Sequence, residues 1–201
     1  INIGSIVSKN NGIIEDCTVK SSVRLRGQDC PKIGGIAGVN FGLIRDCSFN
    51  GNVSGLRSTG GITGLNYGDI TNCESSGEIS GENRIGGISG MNQDSITDCT
   101  IKNLAVYTQT KYGVEFGGIT GLNNGKITDC TLSQSIVEGS GLIGGAVGQN
   151  EGVLKNCILS TIRSTGENSI GGIVGSSSGS SICSSVIHNG FVYSTPQSEN
   201  K

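Results

Sequence analysis

Apolar and polar residues alternate in short bursts along this chain, and the bursts recur. The stretch Gly60 to Cys73, GGITGLNYGDITNC, sets the pattern, with Ile62 and Ile70 standing among glycine, threonine and asparagine. Close copies begin at Gly34, Gly86, Gly117 and Gly144, a looser one at Gly4 and a degenerate one at Gly171. The starts are 30, 26, 26, 31, 27 and 27 residues apart. Such a period marks a repeat architecture. Short alternations rich in β-branched residues and bounded by Gly and Asn predict strands joined by turns, and no helical stripe is sustained. Each unit is too short to enclose a core alone. The pattern predicts an all-β fold: a single-stranded parallel β-solenoid over 1–193, about seven coils of 26–31 residues, with a polar tail at 194–201. Parallel crossovers favour a right-handed coil.

Placed in register, each position acquires an expected role. Ile6, Ile36, Ile62, Ile88, Ile119, Ala146 and Ile173 form an inward ladder. Two residues on, Ser8 or a glycine (Gly64 and its equivalents) implies room for only a very small side chain. Asn10, Asn40, Asn66, Asn92, Asn123 and Asn150 come next. Stacked asparagines can bond from coil to coil, and asparagine tolerates the left-handed backbone of a turn. Gly12, Gly42, Gly68, Gly125, Gly152 and Gly179 close that turn, with Asp94 the exception. Ile14, Ile44, Ile70, Ile96, Ile127 and Leu154 point inward from the second strand. An Asp or Asn then forms a corner, because Ile and the following Cys are three apart and plain alternation cannot bury both. Cys17, Cys47, Cys73, Cys99, Cys130, Cys157 and Cys183 form a ladder, with one residue lost before Cys183. Val19, Phe49, Ile101, Leu132 and Leu159 resume the core, and Val53, Ile79 and Ile136 fill a third side. Two long coils carry insertions, around Ser21 to Lys32 and Asn103 to Phe116, expected to emerge as surface loops bearing Arg24, Arg26, Tyr107, Lys111, Tyr112 and Phe116.

Composition narrows the function classes. With 14 basic and 16 acidic residues the chain lacks the basic excess of a nucleic-acid binder. No apolar run is long enough for a membrane helix. Ile1 opens the sequence where a Met would be expected, which reads as a segment of a longer protein. The 8 cysteines form no CxxC pair, which disfavours zinc and thioredoxin-like chemistry. Cys30 alone falls outside the register. In-register thiols run side by side, an awkward geometry for disulfides, so small buried free cysteines are expected.

These residues resemble the GLUG motif, GGI-x-G-x-N-x-G-x-I, in all seven copies, closely in the four central ones. The resemblance implies a secreted or surface-exposed bacterial protein, adhesin-like or placed beside the catalytic region of an IgA-cleaving peptidase. It implies no catalytic residue.

Candidate chemistry is sparse. His188 is the only histidine, and Asp69, Glu74, Glu78 and Arg84 are too scattered for an acid–base pair, so neither an enzyme nor a cofactor is expected. The Asp/Asn corner offers too few oxygens for Ca²⁺. The threonine rows are broken, which argues against an ice-binding face. Phe41 and Tyr67 are candidates for a sugar platform, or simply a cross-coil pair. Tyr107, Lys111 and Tyr112, in the second insertion, are the candidate loop site. The expected function is a non-catalytic structural or adhesive module, a rigid spacer or binding surface of a secreted or cell-surface bacterial protein. Its partners would be a host or environmental glycan or protein and neighbouring domains of the same chain, without nucleic acid or membrane insertion. The alternatives are an accessory or substrate-binding domain of a secreted peptidase or carbohydrate-active enzyme, and a fibre segment associating end to end.

Overall fold

In the computed structural model the chain is an all-β parallel solenoid. Residues 1–20, 24–27, 32–108, 110 and 113–194 are described, with backbone alone for 24–27. Cys30, Lys111, Tyr112 and the tail beyond Ser194 lie outside them. Each coil contributes to four parallel sheets. In coil three the strands are Thr59–Gly60, Thr63–Asn66, Asp69–Thr71 and Glu74–Gly81, one for each of the first to fourth sheets. Neighbouring coils pair in register, so Gly34 meets Gly60 and Gly86, and Asn40 meets Asn66 and Asn92.

The core consists of the expected rows and one more. Ile36, Ile62, Ile88, Ile119 and Ala146 are fully enclosed, as are Ile44, Ile70, Ile96, Ile127 and Leu154. Ile6, in the first coil, is exposed because no coil covers it. The added row stands just before each GG: Ile33, Thr59, Ile85, Phe116 and Ile143, all buried. Phe116 is therefore core, not loop. The second sheet is closed on both faces. Thr63, Ser89 and Thr120 are buried and bonded, Thr63 Oγ1 donating to Ser89 Oγ at 3.1 Å and Thr120 Oγ1 to the Leu122 carbonyl at 3.1 Å, so this row meets no ice.

The asparagine row is extended rather than left-handed. Each Nδ2 donates to the next Oδ1, from Asn10 to Asn150, over 2.7–2.9 Å. The turn glycines beside it answer a close approach. A Cβ on Gly68 would stand 2.2 Å from the Gly42 carbonyl oxygen. Where Asp94 replaces glycine, the Ser95 N–H to Gly68 O bond stretches to 3.3 Å, against 3.0 Å for Asp69 N–H to Gly42 O.

Left-handed backbone falls at the corner instead. Asp16, Asp46, Asn72, Asp98, Asp129, Asn156 and Ser184 all have φ between 49° and 57°. The corner lets Ile70 and Cys73, three apart, both face inward. An L residue with a branched Cβ clashes there, so Asp98→Val is expected to cost about 1–2 kcal/mol while Asp98→Gly stays within a few tenths, as urea midpoints would show.

The third side differs from expectation at Ile136. Val53 and Ile79 are buried, but Ile136 is exposed and Val137 takes the inward place. Asn103, Gln134 and Thr161, with φ of 51°, 49° and 57°, each add a bulge residue, and the pairing shifts between Ser75 and Gly77 where coil four begins to differ. One added residue reverses every following side chain. The second insertion is thus partly strand: Thr100–Thr108 and Glu115–Gly117 are paired. In the first, Arg24–Gly27 pairs with Asn52–Gly55 in the fourth sheet.

Coil seven also shifts. Its turn gains a residue, with Gly179 at φ 60°, rather than losing one. Cys183 consequently pairs with Lys155 and is exposed. Ser185 occupies the place below Cys157, since the Asn156 N–H reaches the Cys183 carbonyl and the Val186 N–H the Cys157 carbonyl. The cysteine ladder therefore runs from Cys17 to Cys157, with Ser185 as its next rung.

Candidate binding surface

The outer face of the fourth sheet is polar, and across coils one to four it is concave. It carries a groove of about 360 Å³ running along the solenoid axis. Thr18, Ser48 and Glu74 line one wall, Lys20, Asn50, Ser76 and Lys102 the other, and Val19, Phe49 and Ser75 form the floor. Lys102 Nζ is 3.1 Å from Glu74 Oε2, and Ser48 Oγ donates to Thr18 Oγ1 at 3.1 Å. Both pairs are exposed, so water competes with them and they can exchange for a ligand. Hydroxyls, an amide and ammonium groups repeating at coil spacing suit hydrogen bonding to a linear polar molecule. Apart from Glu74, weighed only as an acid–base group, these residues were not among the sequence candidates. Their signal was the cluster of small and polar residues after Cys47 and Cys73.

In the floor of the groove, Ser75 interrupts the row of Phe49, Ile101 and Leu132, and its Oγ is buried without a hydrogen-bond partner. An unpaired buried hydroxyl costs roughly 1–3 kcal/mol, so Ser75→Ala should raise the urea midpoint by an amount equivalent to about 1 kcal/mol or more.

The sequence candidates occupy other places. Phe41 and Tyr67, 48% and 45% exposed, stack at 5.0 Å between centroids and 14° between planes. Lys9 Nζ lies 4.9 Å from the centre of the Phe41 ring. Phe41 thus has Lys9 on its ring and Tyr67 stacked against it, whereas a sugar platform needs a free face. Tyr107 stands on the outer fourth sheet beside Ser80 and Glu138, away from Phe41 and Tyr67. Glu78 accepts from Asn52 Nδ2 at 3.1 Å, and Arg84 Nε lies 3.0 Å from Glu115 Oε2. Burial raises the Glu115 carboxyl above its ordinary range, and Arg84 opposes the shift. The structure does not bring Asp69, Glu74, Glu78 and Arg84 together as a pair of reacting groups. His188 is exposed in coil seven. Among the described residues, no three or more His, Cys, Asp or Glu converge on one metal position, and no helix is long and apolar enough to cross a membrane.

The described thiols are free. Each ladder Sγ donates to the carbonyl two residues back, at 3.1–3.4 Å from Cys17 to Cys157. Ser185 Oγ makes the same bond at 3.3 Å. Burial pushes the Cys47 thiol up to about 11. Hydrogen bonding to Cys130 and Cys73, together with burial, raises Cys99 well above its ordinary value.

The coil that carries the fullest form of the repeat decides the comparison. Residues 55–80 match the GLUG motif. This GLUG stretch covers coil three from Gly55 through the GG turn, the asparagine and the corner to Ser80. No curated protein and no solved structure matches the chain. A GLUG repeat in a parallel solenoid makes the chain a repeat module.

Proposed function

We propose that this module is non-catalytic and serves a secreted or cell-surface bacterial protein as a rigid spacer that also presents a binding surface. The observation that carries the reading is a division of labour. The repeated positions are occupied with stacking coil on coil, while the variable polar ones gather along the groove of the fourth sheet. A groove with hydroxyl, amide and ammonium groups on its walls and Val19 and Phe49 at its floor matches a sugar ring, which presents both hydroxyls and an apolar face, and so fits a glycan better than an apolar peptide. A glycan array and a hydrolysis screen on the chain test this. The expected result is binding without turnover, abolished by Asn50→Trp, which fills the groove from an exposed position, with circular dichroism unchanged. Turnover, or binding that Asn50→Trp leaves intact, would overturn the reading. The same groove favours a second reading, in which the module holds substrate for a peptidase or carbohydrate-active domain of the same chain.

A further inference from the structure

The thiol row has a chemistry that solenoid stacking does not use. The six ladder cysteines hold equivalent places in successive coils. Backbone hydrogen bonds clamp each rung on both sides: the Glu74 N–H donates to the Cys47 carbonyl at 2.9 Å, and the Asp46 N–H to the Thr71 carbonyl at 3.2 Å. Their sulfurs are therefore spaced like the strands, about 4.8 Å apart. A metal–thiolate bond is about 2.3 Å long, so a cation bonded linearly to two thiolates spans about 4.6 Å. The side chains point inward, across the axis, so a cation midway between two rungs meets each Cβ–Sγ bond near a right angle, as a thiolate ligand prefers. We propose that the Cys17–Cys157 row is a binding site for soft monovalent d¹⁰ cations such as Cu(I) or Ag(I), one in each alternate gap, Cys17–Cys47, Cys73–Cys99 and Cys130–Cys157, so that every thiolate binds a single cation.

The balance is simple. Each cation placed between its two thiols forms two metal–sulfur bonds and releases two protons. Losing these protons strands nothing. The carbonyls that accept from the thiols of Cys47, Cys73, Cys99, Cys130 and Cys157 already accept ladder N–H groups, as Thr71 does from Asp46 and Thr97 from Asn72. Each filled gap carries one negative charge, half of what its two bare thiolates would place in an apolar interior. Soft thiolates select such ions, and the row offers each only two ligands on a line, where zinc asks for four in a tetrahedron. Entry is from Cys17, the rung that is only partly buried.

The probe is Ag(I) in chloride-free buffer, titrated into folded protein carrying Cys30→Ser and Cys183→Ser so that only row thiols remain. The expected stoichiometry is about three silver ions and six protons per chain, since metal must displace thiol protons. Adding Cys73→Ser and Cys99→Ser leaves two isolated pairs and should cut uptake to about two ions. Ser185 already fills a rung with the same hydrogen bond, and circular dichroism would confirm the fold. Uptake of one ion or fewer by the folded protein overturns the proposal, as does uptake that the doubled serine variant leaves unchanged. Zinc uptake matching silver would overturn the two-coordinate geometry.

Discussion

Replacing Asn92 with alanine is expected to destabilise the solenoid by about 2–4 kcal/mol, since it leaves one buried oxygen unpaired at roughly 1–3 kcal/mol and removes further hydrogen bonds at about 1 kcal/mol each. Asn92 sits mid-ladder and is fully buried. Its Oδ1 accepts from Asn66 Nδ2 at 2.9 Å, and its Nδ2 donates to Asn123 Oδ1 at 2.9 Å and to the Asp94 carbonyl at 3.1 Å. Alanine leaves Asn66 Nδ2 with only the Gly68 and Ser95 carbonyls and strands the side-chain oxygen of Asn123, in a place no water reaches. Urea unfolding followed by circular dichroism measures the loss. Asn92→Asp distinguishes hydrogen bonding from mere volume. Its carboxylate cannot donate to Asn123, and it places a charge in the dry row. Its stability should therefore be poor at neutral pH and recover as pH falls through the carboxyl range, where the protonated acid donates again. A loss below about 1 kcal/mol for Asn92→Ala would mean the ladder is decoration on a solenoid held by its aliphatic rows.

The second large effect is at Gly64. A Cβ there would stand 2.5 Å from the Ile33 nitrogen, 2.7 Å from the Ser58 carbonyl oxygen and 2.9 Å from the Gly38 carbonyl oxygen. All three are backbone, so no side chain can swing aside, and the first and second sheets must separate. Gly64→Ala should cost more than about 3 kcal/mol, at the upper end of what overpacking does. Gly12→Ala is the control, for a Cβ there meets nothing within 4 Å. The chain contains the same contrast: Ser8, the coil-one equivalent of Gly64, is exposed. Equal melting temperatures for the two variants would contradict the close approach of the sheets.

Much of this architecture is legible in the sequence because each coil must present the same atom to its neighbours. Ile62, Ile70, Asn66 and the corner at Asn72 could be placed from spacing alone. What spacing could not show was backbone that adds a residue without a shared residue type. Asn103, Gln134 and Thr161 are one bulge in three guises, and nothing in their chemistry announces that Val137, and not Ile136, turns inward. Cys183 misleads for the same reason. It looks like the last rung, but a turn lengthened around Gly179 moves Ser185 into that place. The row before each GG was readable and hidden only by variety, since Thr59 and Phe116 do not look like members of one ladder with Ile33 and Ile85. The groove was less legible still, because its walls are built from positions, such as Lys20, Asn50 and Ser76, that share no residue type from coil to coil.

The shared bulge divides the molecule into two dialects. Coils two and three speak one, with Gly51 stacked on Gly77; coils four to six speak the other, with Asn103, Gln134 and Thr161 aligned. They meet once, at the shift between Ser75 and Gly77. Lengthening the solenoid by duplicating coil five next to itself would repeat a compatible interface, whereas placing a copy of coil three beside coil five would create a second mismatch. A coil is thus exchangeable within its dialect and foreign outside it, which makes the bulge a grammar for extending or shortening such a protein.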